Sequence, residues 1–565
     1  MRQIYPLLFF LFITSFNLTL ASCSQGSKKN DIGEASVKDL SRIEKLAATS
    51  KIWGFLKYYH PEVAKGKFDW DNQLFKILEK VENVKTKDEL SQTFITWIDS
   101  LGKIEKCNEC RSVSTEEMFE KNFDLSWKDP ALFTAELREK LRYIEKNRVQ
   151  GEQYYVTTNE NAGNIRLQNE PEYEDFVWEN RNLRLLTLFK YWNIVEYFFP
   201  YKYQMDQKWD KTLFEMIPKF DNPSTEQEFH LAILETVVKL DDSHAGFMSG
   251  QTDEFFGKKF IPARFNIIDG KAVIFSFYND SIAKKDGWKI GDVITEVEGV
   301  PVSRRFMNVK KYLNGSNLPT KMRNGYHAIF NGNTDSVNIK ISRDGIVQEK
   351  KMPRYKFNEF NYPGENQKEK WKVLEDNIGY VDMGILEKVD VNDMMTELKN
   401  TRGIIFDIRN YPKGTMYLIA NHLNSNRRDF VKFIIPNLNY PGKFTWTEPL
   451  KAGPEKISNP YQGKIILLVN ERTQSHAEFT AMALQTANNV TTIGSQTSGA
   501  DGNVSDVTLV GGHQTYITGI GVFYPDGKET QRIGIVPDIE IKPTIEGIKN
   551  GRDEVLEKAI EVIKR

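Results

Sequence analysis

The sequence is poor in cysteine and has almost no charge excess. Three cysteines occur in 565 residues, at Cys23, Cys107 and Cys110, which excludes a small scaffold stapled by many disulfides. Cys107 and Cys110 form a Cys-Asn-Glu-Cys pair. Structural zinc takes four ligands and there is no second pair, so a local disulfide is the expected state in an exported chain, ahead of zinc binding or redox activity. Lys and Arg number 76 against 77 Asp and Glu, a formal net charge of -1. That balance removes any general electrostatic reason to bind nucleic acid. No His/Asp/Glu set has metal-ligand spacing, so neither a metal nor an organic cofactor is expected. A composition of 40% hydrophobic and 27% charged residues belongs to a globular chain, neither disordered nor multiply membrane-spanning. At this length one hydrophobic core does not suffice, and three or four domains are expected.

The first residues differ from the rest. Arg2 precedes a nearly continuous apolar run from Tyr5 to Leu20, followed by Ala21, Ser22, Cys23 and the polar stretch Ser24 to Asn30. A short apolar segment ending in small residues reads as an export signal over residues 1–22, not as a spanning helix. Leu20-Ala21-Ser22-Cys23 resembles a bacterial lipobox. The resemblance implies lipidation of Cys23 and a soluble body tethered to a membrane on its periplasmic or cell-surface side. The alternative is an ordinary secretory signal with a chance cysteine.

Comparison of the chain with itself reveals a repeat. Trp53 and Trp192 are 139 positions apart (192 − 53), and the same offset pairs Tyr58 with Tyr197, Trp70-Asp71 with Trp209-Asp210, Thr86 with Thr225 and Glu89 with Glu228. Both copies have helical apolar spacing, so duplicated helical regions are expected over 23–150 and 185–255, joined by a polar linker or loose strands over 151–184. The copies diverge at their ends. The first runs from Leu101 into the cysteine pair. The second ends Leu240-Asp241-Asp242-Ser243-His244-Ala245-Gly246.

From Ile261 short strands alternate with Gly and Asn turns. The order Asp286-Gly287 … Gly291-Asp292-Val293-Ile294 … Glu298-Gly299-Val300 resembles a PDZ domain, placed at 256–355, against the plainer reading of a generic small β domain. PDZ domains take a peptide as an added strand. Beyond Asn377, buried strands at Ile378–Val381, Gly403–Asp407 and Ile465–Val469 alternate with helices at Met394–Leu398 and Ala477–Ala487, an α/β architecture.

Ser475 follows one of these strands and opens a helix. As an N-cap it needs only a hydroxyl, but the same place exposes a nucleophile beside free backbone N–H groups. Of the histidines at 60, 230, 244, 327, 422, 476 and 513, His244 is the candidate base, because a neighbouring hydroxyl or carboxylate could set its tautomer. His476 adjoins the serine, and adjacent side chains at a helix start diverge. Gly414, in the loop after strand Gly403–Asp407, and His476 are the candidate oxyanion donors through their backbone N–H groups.

These segments resemble the tail-specific (carboxy-terminal processing) serine peptidases. Asp407 to Gly414 is similar to that family's Asp-x-Arg-x-Asn-Pro-Gly-Gly loop. Ser475 and Glu478 match Ser-x-x-Glu, Gly494 to Gly499 matches Gly-x-x-Thr-x-Gly, and Gly534 to Asp538 matches Gly-Ile-x-Pro-Asp. The likeness covers about residues 185–560 and implies a ClpP/crotonase-like α/β core over 365–565. The family's lysine base would stand at Ala500, so a Ser–Lys dyad is absent. Ser243-His244-Ala245 instead matches the tricorn-core branch, whose base is a histidine preceded by serine. That branch's glutamate falls at Gln531, with Glu529 two residues earlier as the substitute. Tyr411 and Lys413 depart from the loop pattern, and Lys413 is a rival base. The resemblance thus implies a multidomain α/β serine peptidase acting on peptides or unfolded proteins with Ser475, His244, Ser243 and Glu529. A non-catalytic peptide- or ligand-binding protein and a membrane-surface scaffold are the alternatives.

Overall fold

Side-chain caps start the helices of the first half. Ser41, Thr86 and Thr225 each accept the backbone N–H three residues on, satisfying a donor that has no partner inside the helix. The computed structural model describes residues 39–565 apart from 109, 111–116, 129, 361–368 and 458. The export signal and Cys23 therefore lie outside the described residues. Leu40–Arg565 forms one compact unit.

The repeat takes shape as α1 (Arg42–Tyr59), α2 (Trp70–Glu82) and α3 (Lys87–Asp99), matched by α4 (Arg181–Phe198), α5 (Trp209–Asp221) and α6 (Glu226–Val238). Within the first copy, Trp53 Nε1 donates to the Trp70 carbonyl at 3.0 Å and Trp70 Nε1 donates to the Trp53 carbonyl at 3.1 Å. Trp192 and Trp209 make the same exchange at 3.1 and 3.0 Å. Equivalent residues also cross between copies. Lys190 pairs with Asp71 at 3.0 Å and Lys51 with Asp210 at 2.5 Å. Tyr58 meets its own counterpart Tyr197, ring centroids 5.4 Å apart. The two copies therefore pack about a local pseudo-two-fold, as an isologous dimer would.

The stretch 151–184 does more than link. Val156–Thr158 pairs antiparallel with Ile165–Leu167. Glu170 joins Lys57 and Lys190 in a buried ion-pair cluster, and Asn164 donates to the Val504 carbonyl and to Ser505 Oγ. Its polarity, which reads as a linker, serves these partners. Cys107 and Cys110 are joined by a disulfide.

The next 100 or so residues form an antiparallel sheet of β1 (Ala263–Ile268), β2 (Lys271–Phe277), β3 (Val293–Val297), β4 (Ser336–Arg343) and β5 (Ile346–Pro353), ordered β5-β4-β3-β2-β1. It closes over its own core of Trp288, Ile294, Val297 and Ile341, with β1 at an edge and α7 (Leu318–Asn324) reaching toward the second half. The second half is a sheet of β6 (Trp371–Leu374), β7 (Ile378–Asp382), β8 (Gly403–Asp407), β9 (Lys464–Val469), β10 (Val490–Gly494) and β13 (Ile539–Glu540), in the order β6-β7-β8-β9-β10-β13. From β7 onward the strands are parallel. Strands β8 and β9 are almost wholly buried, as parallel strands covered on both faces must be. Helix α8 (His476–Leu484) packs on one face and α9 (Glu554–Lys564) on the other. A hairpin of β11 (Val504–Thr508) and β12 (Gln514–Thr518) leaves this core and buries Val507, Leu509 and Ile517 in the helical cluster. No helix among the described residues is long and apolar enough to cross a membrane.

The contact between α1 and α4 is tightest at Gly54. A Cβ there would lie 1.8 Å from Asn193 Oδ1, while Asn193 Nδ2 donates to the Ser50 and Phe189 carbonyls. Gly54→Ala is expected to destabilise the protein by about 1–3 kcal/mol through overpacking. Denaturant unfolding of Gly54→Ala, Asn193→Ala and the double variant checks this, and the double variant should lose less than the sum of the two.

Candidate active site

Strand β9 ends at Val469, and the chain turns through Asn470–Gln474 into α8. Ser475 stands at the turn with φ 56° and ψ −123°, a backbone conformation that costs a non-glycine residue about 1–3 kcal/mol. Glu478 holds it there. Its buried carboxylate accepts the Ser475 N–H at 3.2 Å, the Gly499 N–H at 2.8 Å, the Ala500 N–H at 3.1 Å and the Thr497 hydroxyl. The Ser475 N–H also donates to the Ala500 carbonyl at 2.9 Å. The Ser-x-x-Glu and Gly-x-x-Thr-x-Gly segments are thus one structural unit. Burial pushes the Glu478 carboxyl up, against the pull of these four donors.

His244 lies just after α6, at the diverged end of the second copy. Its Nδ1 is 2.9 Å from Thr518 Oγ1 at the end of β12. The Thr518 hydroxyl donates to Asp242 Oδ1 at 3.0 Å, and the Thr518 N–H donates to Asp242 Oδ2 at 2.9 Å. A hydroxyl has one proton, and Thr518 gives it to a carboxylate. Its oxygen is left to accept, so His244 Nδ1 carries a proton and Nε2 keeps a lone pair. That Nε2 is buried and has no hydrogen-bond partner among the described residues. Asp242 also accepts the His244 backbone N–H at 3.1 Å and, at the limit of a hydrogen bond, Gln531 Nε2 at 3.4 Å. Burial holds the His244 imidazole below its ordinary 6.5, with Asp242 pulling the other way. His244 and Ser475 line one cavity of about 760 Å³.

Of the other residues singled out from the sequence, Ser243 makes no hydrogen bond to the His244 ring among the described residues. Its hydroxyl donates to the Ser498 carbonyl at 3.0 Å and accepts the Ser316 N–H at 2.8 Å, tying the turn to the core and the β module. The Glu529 carboxylate is occupied by Lys121, Tyr203 and Gln204, and no hydrogen bond among the described residues joins it to His244. The carboxylate linked to the His244 ring through Thr518 is that of Asp242. Lys413 pairs with Glu387 at 3.2 Å on the surface.

Gly414 has φ +71°, and a Cβ on it would lie 3.9 Å from His476 Nε2, so its loop lies against the first turn of α8. Neither the Gly414 nor the His476 backbone N–H donates to another group among the described residues. The loop is held by Arg409, which bridges Asp407 at 2.7 Å and Asp553 at 2.8 Å, and by Asn410 donating to Asp382 at 2.6 Å. Tyr411 is exposed and lines the same cavity as Ser475, together with Asn159 and Asn164 from the stretch read as a linker.

A serine at a strained strand-to-helix turn, a histidine with one bare nitrogen and unengaged backbone donors on an α/β core define the class of serine acyl-transfer folds. Residues 377–541 match the model of Peptidase family S41. The carboxy-terminal processing protease CtpB of Bacillus subtilis (strain 168) is 25% identical over 328 residues, covering 55% of this chain and 62% of the relative. Its companion CtpA from the same strain is 27% identical over 319 residues, covering 55% and 63%. The chain therefore spans less than two thirds of the length of these curated relatives. The structure of mature CPAF complexed with lactacystin shares the fold, with a TM-score of 0.53 and 14% identity, over 68% of this chain and 98% of that one.

Burial depresses all seven histidines, His60 and His230 to about 4. Below 6.5 the unfolded chain takes up protons that these folded-state imidazoles refuse. The contribution of these histidines to stability is therefore fully present above pH 6.5 and is lost as pH falls toward 4, by up to about 1.4 kcal/mol per pH unit for each of the well-buried His60 and His230. Urea unfolding at pH 7.5 and pH 5 checks this, and the midpoint should be lower at pH 5.

Proposed function

We propose that this protein is a serine peptidase that hydrolyses peptide bonds through an acyl-enzyme on Ser475, with His244 as general base. One observation carries the reading. His244, whose Nε2 has no hydrogen-bond partner among the described residues and whose Nδ1 is tied to Thr518 and through it to Asp242, lines the same cavity as Ser475. In the reaction, Nε2 takes the Ser475 proton as Oγ attacks the carbonyl and returns it to the leaving amine. Asp242, through Thr518, favours the imidazolium that forms in between. The backbone N–H groups of Gly414 and His476 receive the oxyanion, and a single donor of this kind is worth about 10²–10³ in rate. Water then releases the acyl group by the same proton path.

The β module, PDZ-like in its strand pattern, holds the peptide along its edge strand β1. The substrates are peptides or unfolded exported proteins. Lipidation at Cys23, suggested by the Leu20-Ala21-Ser22-Cys23 motif, tethers the enzyme to a membrane surface.

The soluble body from Ser24 onward is expected to cleave an unfolded protein, with losses of about 10³-fold or more in Ser475→Ala and His244→Ala. Because burial lowers the His244 pKa, the base stays deprotonated below pH 6.5 and the acid limb of the rate profile should fall below that value. Full activity in His244→Ala would remove the proposed base, and absence of cleavage by the wild type would favour a binding protein.

A further inference from the structure

The cavity that holds Ser475 and His244 is lined by two arginines, Arg323 and Arg472, and, among the described residues, by no carboxylate. Arg323 comes from α7 of the β module and is mostly buried. Its Nη1 donates to the Glu471 carbonyl at 2.7 Å and its Nη2 to Gln474 Oε1 at 2.8 Å, while Gln474 Oε1 also accepts the Ser498 hydroxyl at 2.9 Å. Arg472 is exposed, its guanidinium over the Phe275 ring at 5.4 Å. Neither arginine has a carboxylate within ion-pair distance among the described residues. Burial weakens the hold of Arg323 on its proton, and repulsion from Arg472 adds to this, while Glu471 and Glu478 pull the other way. An anion between them relieves that repulsion where water is partly excluded, and the planar guanidinium fork matches a carboxylate.

The same two arginines and Gln474 also line a larger cavity of about 1090 Å³ that extends along β1 of the β module. The path from Ser475 therefore continues past the arginines. A chain passing here places a side chain over them, and its end lies further on. We infer that Arg323 and Arg472 form a carboxylate subsite that selects substrates with an aspartate or glutamate side chain close to the scissile bond. This rests on the peptidase reading above.

The test uses internally quenched peptides, amidated at the C-terminus, in which one glutamate is moved stepwise through an otherwise neutral glutamine-containing sequence. The full soluble body is the enzyme. At one position glutamate should raise kcat/KM about tenfold over glutamine, and the gain should shrink at high salt. In Arg472→Gln the glutamate-to-glutamine ratio at that position should fall to about 1. In Arg472→Glu the same position should prefer lysine. Arg472 is exposed, so these variants keep the fold. Peptides cleaved with no charge preference at any position, or a preference that survives Arg472→Gln, overturn the subsite while leaving the peptidase reading intact. A gain that follows a free C-terminal carboxylate and not the glutamate also overturns it. No cleavage of any peptide, with no reaction of Ser475 with a fluorophosphonate, overturns both.

Discussion

The double hydrogen bond between Asp242 and Thr518 is the interaction on which the site depends. Asp242 ends the second helical copy, Thr518 ends a hairpin sent out from the α/β core, and His244 stands on the first and leans on the second. Neighbouring contacts repeat the theme. Asp241 takes Lys321 from the β module, Ser243 reaches Ser498 of the core, and Arg323 of the β module holds Gln474 beside the serine. Three separately cored parts of the chain converge on five residues from Asp241 to Ala245. Ser475 and His244 reach one cavity only when the helical and α/β parts are docked, because neither part supplies both residues.

The duplication explains why His244 sits where it does. The two copies share the reciprocal tryptophan bonds and exchange the Lys190–Asp71 and Lys51–Asp210 pairs, so they form one pseudo-symmetric body with a common core. Pseudo-symmetry gives two equivalent ends. One runs into the cysteine pair and the other carries Asp242 and His244. The first copy thus contributes rigidity to the platform from which the second presents its histidine, as a site built on well-packed elements requires.

Much of this was legible in the sequence, and what was not has a common physical cause. The repeat was legible because each copy preserves the same caps and tryptophans locally. Strands β7, β8 and β9 were legible because buried parallel strands are continuous apolar runs. Ser475, His244 and Gly414 each sit at the end of a recognisable element. The partner of His244 was not legible, because Thr518 lies 274 residues away and an ordinary hydrophobic hairpin carries it there. The resemblance put the family's glutamate at Gln531, with Glu529 as its substitute, but the Glu529 carboxylate is taken by Lys121, Tyr203 and Gln204. Gln531, at the position the resemblance gives an acid, donates to Asp242 instead. The polar stretch 151–184 hid its role for a related reason: its asparagines and Glu170 are polar because they face buried partners, a distinction that composition does not carry.

The central claim is that Thr518 and Asp242 position His244 so that Nε2 can act on Ser475. Its most direct test is the second-order rate at which a fluorophosphonate modifies Ser475, followed by intact mass in the wild type, Thr518→Val and Thr518→Ser. Loss of the hydroxyl frees the tautomer and leaves Asp242 without its link to the ring, so the rate should fall about 10-fold to 100-fold in Thr518→Val and recover in Thr518→Ser. A Thr518→Val protein that folds normally and reacts as fast as the wild type would contradict the account.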